Sequence, residues 1–467
     1  MKSPKKVVVL GNGSIGLMCA ITIARNLPST RVTVIGESSR LFAASAAAGA
    51  MMNVYGEVEA LPLSQKLLSE KLLEMGDSSS KKWRQFLAAT NANSLITAQD
   101  TCVVLKKKAY DFEARNFAAM ADAATNAGVG SIEQTGNLDY FAGARTQSFE
   151  AMLRIKGEFA VDALALMAHL DDVASELGIQ KVLESAKKIH VNPLQVELAG
   201  GSMLAADYLV VAAGAASNTL FDSELGVLEM FQGVGTALSV KAPLQKMAAP
   251  KEVIRTVNRG GAQCGLHLVP LLNQGLYIGA GNRVTEIEEP QIRYETIAYL
   301  LNSVASEFIG KEAAYLLEGQ IRVGLRPRSL DGFPMIGPLS TNEDIFVATG
   351  TNRAGLTWAT EIAEASLAWL KGESLPDFMN DWQPDRRSLL ADKPEDSVAQ
   401  FVESRIGAGL EHGIIEESSV GIAKARAQLE KVARDFTDQS TSNPVPSGTH
   451  PDNWAAAKIA RGHEIVT

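Results

Sequence analysis

The sequence is poor in cysteine, in net positive charge and in long apolar runs, and each deficit excludes a class of protein. The three cysteines, Cys19, Cys102 and Cys264, lie far apart without a C-x-x-C pair, which excludes a disulfide framework and a zinc site of clustered thiolates. The formal net charge of −9 gives no basic surface to hold nucleic acid. No stretch approaches the ~20 apolar residues that span a bilayer, so membrane attachment is expected to be peripheral at most. No metal site is predicted.

The N-terminus has the outline of a signal peptide, with Lys5-Lys6 before an apolar stretch, residues 7–24. Asn12 and three glycines interrupt that stretch at a spacing that has its own explanation. We therefore expect a cytoplasmic protein. At 467 residues, 46% of them hydrophobic and 21% charged, the chain has the composition of a globular protein and room for roughly three domains of ~150 residues each.

Residues 11–16 read Gly-Asn-Gly-Ser-Ile-Gly and lie between a β-branched stretch, residues 7–10, and an apolar one, residues 17–25. A strand, three glycines at this spacing and a helix form the dinucleotide-binding fingerprint. The first glycine allows a tight turn, the second lets the backbone approach a pyrophosphate, and the third lets helix and strand pack closely. The helix N-terminus presents free N–H groups to the phosphates, so the sequence predicts a nucleotide site.

Two stretches after this turn are also candidates for cofactor contact. Residues 31–35 predict a second parallel strand, at whose end a ribose-binding carboxylate is expected. Glu37, with Ser38 beside it, is the candidate, although Gly36 sets the carboxylate one residue late and a solvent-exposed turn is the alternative. Residues 43–52 have small side chains, which suit backbone that passes close to a flat ligand. A plain alanine-rich helix is the alternative there.

The rest of the chain alternates between helical and strand patterns. We expect two amphipathic helices within residues 61–90 with a break at residues 76–80, and three short strands within residues 180–211, the last a central parallel strand. Period-2 alternation over residues 233–281 predicts four antiparallel strands in a second sheet. Residues 345–356 repeat the order of strand, glycine-bearing turn and helix. Residues 395–436 are expected to be helical, and residues 438–452 to be a loop or disordered.

Several separated motifs agree with one family, and they occur in that family's order. They are residues 11–16, Ser45-Ala-Ala-Ala-Gly49 with Met51, residues 210–215, Gly324-Leu-Arg-Pro-Arg328 with Asp331-Gly-Phe-Pro-Met-Ile-Gly337, and residues 348–350 with 355–357. On these motifs the chain resembles the FAD-dependent D-amino-acid oxidase family, most closely the glycine oxidase and sarcosine oxidase type. The residues beyond 376 match nothing in that family's pattern.

The resemblance implies an α/β fold with a Rossmann-like FAD-binding domain, an inserted antiparallel-sheet substrate domain and a C-terminal helical extension. We predict the FAD-binding domain to comprise residues 1–85, 150–228 and 320–376. The substrate domain then comprises residues 86–149 and 229–319, and the extension comprises residues 377–467.

The resemblance also implies which residues bind FAD. Sarcosine-oxidase-like members attach flavin through a cysteine just after the Arg-Pro pair, and residues 328–331 contain none, so non-covalent FAD is predicted. The predicted cofactor-binding residues are Gly11, Gly13, Ser14, Ile15, Gly16, Glu37, Ser38, Ser45, Ala47, Ala48, Gly49, Met51, Ala213, Gly214, Gly324, Arg326, Asn352, Arg353, Ala354, Gly355, Leu356 and Thr357.

The resemblance implies dehydrogenation of an amine next to a carboxylate, in a small amino acid or cyclic imino acid. Arg326 takes the family's position for the arginine that clamps this carboxylate, and a planar guanidinium matches a carboxylate in two parallel hydrogen bonds. A structural ion pair is the alternative for Arg326. Backbone N–H groups of residues 352–356, at the start of the second helix, would face the charge that hydride transfer leaves on the flavin. Relatives often have a histidine in the turn where this chain has Thr351-Asn352. Arg326 and Asn352 are therefore the predicted catalytic residues.

Further substrate-binding residues are predicted on the second sheet and beside the small-residue stretch. They are His267, Tyr277 and Met52, with structural packing as the alternative for the first two. Two other functions stay open: a 2-hydroxy-acid dehydrogenase, because Arg326 would hold either carboxylate, and a flavin-binding subunit of a larger complex. In the second case residues 395–436 would dock a partner or a second copy of the chain, with packing on their own domain as the alternative.

Overall fold

The structure is a computed structural model, and it describes residues 5–62, 65–107, 109–134, 149–221, 225–241, 250–258, 264–285, 292–315, 317–390, 394–411, 414–416, 418–438 and 445–459. The strands are β1 Lys6–Leu10, β2 Arg31–Ile35, β3 Ile96–Lys106, β4 Gly130–Gln134, β5 Phe149–Val161, β6 Gln180–Val182, β7 Ala186–Val191, β8 Leu194–Leu198, β9 Met203–Ala205, β10 Tyr208–Val211, β11 Met230–Lys241, β12 Val253–Thr256, β13 His267–Pro270, β14 Gly275–Thr285, β15 Glu318–Ser329, β16 Met335–Pro338 and β17 Ile345–Thr349. The helices are α1 Ser14–Asn26, α2 Ala44–Ala47, α3 Lys66–Ala89, α4 Asp111–Asn126, α5 Ala163–Glu176, α6 Tyr294–Val304, α7 Lys311–Tyr315, α8 Gly355–Lys371, α9 Pro394–Glu411, α10 Ser419–Thr437 and α11 Trp454–Ile459.

The first sheet has the strand order β16-β17-β10-β1-β2-β6, parallel except at β16. Its central strands are apolar along their length because both faces are covered. Helices α1, α3, α5 and α8 share one buried core with this sheet, and the separate hairpin sheet β7-β8-β9 packs on the other face. The carboxyl ends of β1, β10 and β17 therefore meet at one edge, where ligands bind in open α/β sheets.

The second sheet has eight strands in the order β15-β11-β14-β13-β12-β3-β5-β4. It is antiparallel except between β12 and β3, which run parallel from the Val253–Thr101 pair to the Thr256–Val104 pair. The predicted α/β fold with a second, mainly antiparallel sheet is thus confirmed. β5 and β15 belong to this second sheet, although the predicted boundaries placed most of both strands with the FAD-binding domain; the division into domains stays a prediction.

The predicted break at residues 76–80 is wrong, because α3 runs unbroken through them. Its small residues serve the contact with α8 instead. A Cβ on Gly76 would lie 3.5 Å from Trp358 Nε1 on α8, and the Ser79 hydroxyl lies 2.5 Å from that of Thr360 on the same helix. The stretch from residue 180 to 211 contains five strands, not three, since β7, β8 and β9 form a sheet of their own.

The C-terminal extension packs on the body of the protein. α9 and α10 share a hydrophobic core with residues of three distant segments, Phe112, Phe231 and Leu330. Residues 439–444 of the predicted loop lie outside the described residues, but residues 451–453 form one buried helical turn that leads into α11. Among the residues that the structure describes, no helix combines the length and the apolarity needed to cross a bilayer.

Candidate active site

A cleft of about 560 Å³ runs along the edge of the first sheet to the face of the second. Both strand–turn–helix units line it, one at residues 11–15 and the other at residues 351–357. The walls between them come from residues 43–51, residues 213–216 and β15. The cleft therefore joins the starts of both helices α1 and α8, as an extended dinucleotide requires.

The first turn is closed by backbone contacts that only glycine allows. Gly11 has φ +106°, and a Cβ there would lie 2.2 Å from the carbonyl oxygen of Ala212. A Cβ on Gly16 would lie 1.9 Å from the carbonyl oxygen of Gly11, so Gly16 allows helix and turn to touch and does not itself line the cleft. Gly13 is the N-cap of α1 and has no side chain to cap it. These features suit a pyrophosphate at the start of α1.

The end of β2 lies beside the same turn. Glu37 lines the cleft, and its carboxylate accepts a hydrogen bond from the Ser185 hydroxyl. Gly36 leaves room for Asn12, which donates to the Glu37 carbonyl at 2.8 Å. Ser38 lies outside the cleft lining. The carboxylate is therefore on the rim where a ribose would lie, and its role toward ribose stays a prediction.

The small-residue stretch lies between the cleft and β15. The Ser14 N–H and the Ser14 hydroxyl both reach the Ser45 hydroxyl, at 3.1 and 3.0 Å, which fixes α2 to the start of α1. A Cβ on Gly324 would lie 2.8 Å from that of Ala47, and one on Gly49 would lie 2.9 Å from the Tyr277 ring. Small side chains are thus needed for backbone packing as well as for a ligand.

Met51 and Met52 face opposite directions. Met51 lines the cleft, and its carbonyl accepts from the Thr357 hydroxyl at 3.4 Å. Met52 is fully buried in the core of the first sheet and is absent from the cleft lining. The structure therefore gives no support to Met52 as a substrate-binding residue, because successive residues of extended chain point to opposite sides.

The second turn is fixed by distant segments. The Asn352 N–H donates to the Pro327 carbonyl at 2.7 Å, and the Thr349 hydroxyl donates to the Gly214 carbonyl at 3.0 Å. Asn352 has φ +47°, and its Oδ1 is buried with no partner among the described residues. α8 begins without a side-chain cap. An orphaned acceptor and an open helix N-terminus both suit the polar edge of a flavin ring.

Arg326 lies flat across a glycine of the neighbouring strand. A Cβ on Gly235 would lie 2.5 Å from the Arg326 Cζ. One guanidinium nitrogen, Nη1, donates to Asn282 Oδ1 at 2.8 Å and to the Gly281 carbonyl at 3.3 Å. Nε and Nη2 have no partner in the part of the chain that the structure describes. Arg326 thus presents unpaired donors to the cleft that it lines, which suits a carboxylate.

His267 and Tyr277 form a stacked pair beside Arg326, with ring centroids 5.7 Å apart and planes at 16°. Both line the cleft. Burial, and then the nearby Arg255, lower the pKa of His267 to about 3, while burial raises the pKa of Tyr277 to about 12. Both side chains are therefore uncharged at neutral pH, and they place no positive charge near a substrate amine.

An ion cluster closes the far end of the cleft. The Glu57 carboxylate pairs with Arg255 and, at 3.2 Å, with Arg353, and Arg353 also pairs with Glu59 at 3.2 Å. Burial opposes ionisation of Glu57, yet the two arginines lower its pKa to about 2. Arg353 is thus paired with two carboxylates, whereas Arg326 lines the cleft with donors that have no partner among the described residues.

The structure brings most of the predicted site residues to this one cleft. The exceptions are Gly16, Ser38 and Met52. Sequence reasoning missed Asn282 and Gly235, which hold Arg326, and it also missed the Glu57 cluster. Gly235 lies in a strand interior, where glycine often marks close approach of another group, so it carried a usable signal; Asn282 and Glu57 carried none.

Comparison with known proteins agrees with this geometry. The family described as FAD dependent oxidoreductase (DAO) matches residues 6–369. The chain belongs to this family. The predicted FAD cofactor and the oxidoreductase class are therefore confirmed. The match ends within α8, so α9, α10 and α11 lie beyond it.

Solved structures share the fold at low sequence identity. Glycine oxidase from Geobacillus kaustophilus superposes with a TM-score of 0.70 at 18% identity, over 82% of this chain and 99% of that one. Iminodiacetate oxidase from Chelativorans sp. BNC1 gives 0.67 at 18% identity, over 81% and 98%. L-proline dehydrogenase from P. horikoshii gives 0.64 at 15% identity, over 83% and 98%.

One curated relative matches a shorter region. The tRNA 5-methylaminomethyl-2-thiouridine biosynthesis bifunctional protein MnmC of Polaromonas naphthalenivorans (strain CJ2) is 28% identical over 191 residues. The match covers 35% of this chain and 29% of that protein.

Proposed function

We propose that the protein oxidises the C–N bond of a small amino acid or cyclic imino acid, with non-covalently bound FAD as the acceptor. The observation that carries this proposal is Arg326, held across Gly235 with unpaired donors beside an uncharged His267–Tyr277 pair. The names of the three solved relatives, which specify amine or imino acid substrates, support it.

The residues at the two ends of the cleft would hold the cofactor. The start of α1 with Gly13 and Ser14 would bind its pyrophosphate, and Glu37 its ribose. The start of α8 with Asn352 would face the flavin ring. Residues 328–331 offer no thiol for a covalent bond. When bound, FAD supplies a two-electron acceptor for a hydride.

Arg326 would bind the substrate carboxylate through Nε and Nη2, in the paired geometry that guanidinium favours. A charge-assisted hydrogen bond is worth about 1.5–3 kcal/mol, enough to orient a small substrate. The α carbon would then lie between Arg326 and the start of α8. His267 and Tyr277, both uncharged, allow the amine to stay neutral, so that its lone pair can stabilise the carbon as the hydride leaves.

The chemistry needs no protein base for the hydride step. The C–H bond breaks with its electron pair, and the nitrogen lone pair forms the C=N bond. The product of hydride loss is an iminium, which can release a proton to the solvent to give the imine, and water then hydrolyses it. Positioning supplies most of the rate enhancement, and the positive end of α8 would stabilise negative charge that develops on the acceptor.

An anaerobic substrate panel tests the proposal. The purified holoprotein is mixed with small amino acids, N-alkyl amino acids, cyclic imino acids and the matching 2-hydroxy acids, and flavin absorbance is followed. We expect bleaching by amine substrates alone. Bleaching by hydroxy acids alone would favour the 2-hydroxy-acid dehydrogenase, and bleaching by none would favour a flavin-binding subunit of a larger complex.

The panel leaves other predictions for separate tests. The cytoplasmic location, the absence of nucleic acid among the partners, and a homo-oligomer or partner bound through residues 377–467 stay predictions.

A further inference from the structure

The last described segment of the chain packs against the end of β15, the strand that carries Arg326. Arg328, two residues after Arg326 on β15, is 2% exposed. Its Nε donates to Asn453 Oδ1 at 2.7 Å, and its Nη2 lies 2.8 Å from Asp452 Oδ2 and 2.9 Å from His450 Nδ1. All three acceptors come from residues 450–453, which we call the C-terminal clasp.

The clasp also holds the backbone that follows Arg328. Asn453 Nδ2 donates to the carbonyl oxygens of Ser329 and Leu330 at 2.9 and 3.0 Å. The His450 N–H donates to the same Leu330 carbonyl at 2.7 Å. Gly332, at φ +79°, has no Cβ to block His450, whose Cδ2 would lie 2.7 Å from one. The clasp therefore binds both the Arg328 side chain and the backbone of residues 329–330.

The electrostatics of the clasp favour one arrangement. Burial and the adjacent Arg328 guanidinium lower the pKa of His450 to about 4, so the imidazole is neutral and its Nδ1 accepts. Burial opposes ionisation of Asp452, yet the Arg328 guanidinium brings the pKa of its carboxyl below the usual range. Its second oxygen accepts from the Ser404 hydroxyl on α9 at 2.8 Å. The buried guanidinium is therefore neutralised by a single carboxylate.

The strand that carries Arg328 also carries the substrate clamp and touches the second turn. Arg328 pairs with Thr351 as an isolated bridge, and the Pro327 carbonyl accepts from the Asn352 N–H. Arg326 itself is held by one nitrogen only, Nη1. A shift of the strand at Arg328 would therefore move both the Arg326 guanidinium and the turn at Asn352.

We propose that the C-terminal clasp positions the carboxylate clamp of the substrate site. It holds Arg328, and through β15 it fixes the position of the Arg326 guanidinium relative to the second turn. Arg328, Asp452 and Asn453 are positioning residues for the carboxylate clamp. The inference rests on the proposed role of Arg326, and it assigns a task to a segment outside the family match.

Acetate is a suitable probe, because it offers the carboxylate without a bond to oxidise. The FAD-loaded full-length protein is titrated with acetate, and the perturbation of the flavin spectrum gives its Kd. FAD content and the FAD Kd of the apoprotein are measured in parallel. A displaced Arg326 guanidinium would lose a charge-assisted hydrogen bond to the carboxylate, so we expect Asp452→Asn to weaken acetate binding at least about tenfold. KM for the substrate should rise more than kcat falls.

Two further variants complete the design. Glu403→Gln, on the same helix as Ser404, removes an exposed ion pair with Arg115 and should bind acetate like the wild type. Ser404→Ala removes only the hydroxyl that holds Asp452, and about a threefold weakening is expected from one neutral hydrogen bond. This variant keeps the test informative if Asp452→Asn does not fold.

The outcomes separate the two proposals. If the wild type binds FAD but acetate does not perturb its spectrum, the proposed role of Arg326 fails. If the wild type binds acetate and every folded clasp variant binds it with the wild-type Kd, the clasp is a structural brace only and the inference is overturned.

Discussion

The two strand–turn–helix units, residues 6–26 and residues 345–371, share one local order but are held by different forces. The first unit is closed by backbone packing that its glycines allow, Gly16 against Gly11 within the unit and Gly11 against Ala212 just after β10. The second is held by distant segments, through Pro327, Gly214 and the acids that pair with Arg353. The first unit therefore depends on close backbone packing, whereas the second depends on hydrogen bonds and ion pairs with the strand that carries Arg326 and with Glu57 and Glu59.

The largest effect is expected from Gly11→Ala, which disrupts the packing of the first unit. Gly11→Ala forces a Cβ to within 2.2 Å of the Ala212 carbonyl oxygen at φ +106°, so β1 and β10 must separate. We expect the free energy of unfolding to fall by about 4 kcal/mol or more, with loss of FAD. Urea denaturation of the variant measures this change.

Gly128→Ala is the matched control for this change. Gly128 has φ +73° with nothing within 4 Å of a Cβ, so only the backbone term of about 1–2 kcal/mol applies. Equal losses in the two variants would show that the Ala212 contact does not hold the first unit together.

The next effect concerns Gly235→Ala, which should leave FAD binding unchanged and displace the Arg326 guanidinium. In Gly235→Ala the new methyl group would occupy the space of the Arg326 guanidinium. We expect the Kd for acetate to rise about 10- to 100-fold, which corresponds to the loss of one charge-assisted pair, with FAD content unchanged. Unchanged acetate affinity would contradict the placement of Arg326 across Gly235.

Acid should lower the stability of the folded protein by favouring protonation of His450, a residue of the C-terminal clasp. Because its folded pKa of about 4 is below the ordinary 6.5, the unfolded chain takes up the proton first. The stability from neutral His450 is therefore present above pH 6.5 and is lost as the pH falls toward 4, by about 1.4 kcal/mol per pH unit. A glutamine side chain cannot titrate, so His450→Gln should lose less stability over this range in urea denaturation. If the stability of both proteins fell equally with pH, His450 would not be the group whose protonation causes the loss.

The smallest effect concerns the orphaned acceptor of the second turn. Asn352→Gly keeps the positive φ and removes the buried Oδ1, so folding should be unaffected. One neutral hydrogen bond is worth about 0.5–1.5 kcal/mol, and we expect flavin reduction to slow roughly 3- to 10-fold. Asn91→Gly, at φ +55° on the surface, is the control and should react like the wild type. Equal rates in all three proteins would deny Asn352 a role.

The sequence was sufficient where a feature depends on neighbours in the chain. The glycine spacing at residues 11–16 and the alternation over residues 233–281 are local, and both predicted their structures. The supposed break at Gly76 was wrong because α8 pairs with those small residues from far along the chain. The clasp could not be predicted either, since 124 positions separate Arg328 from Asp452 and no local pattern marks such a pair.

The direction of side chains was the second feature that could not be predicted from the sequence. The composition of residues 43–52 predicts backbone near a ligand, whereas the structure shows that its small residues pack on β15 and Tyr277. Which of Met51 and Met52 faces the cleft depends on a register that composition does not specify. Arg326 was identified through a motif, whereas the glycine that seats it, Gly235, became evident only when β11 and β15 were paired.

The most direct test of the account is the reductive half-reaction of Arg326→Ala, followed anaerobically by stopped flow. An amino acid that reduces the wild type is compared with its amine analogue that lacks the carboxylate. We expect the wild type to prefer the amino acid by about 10- to 100-fold, and the variant to lose this preference with its FAD content intact. An equal preference in both proteins would contradict the central claim that Arg326 selects the substrate through its carboxylate.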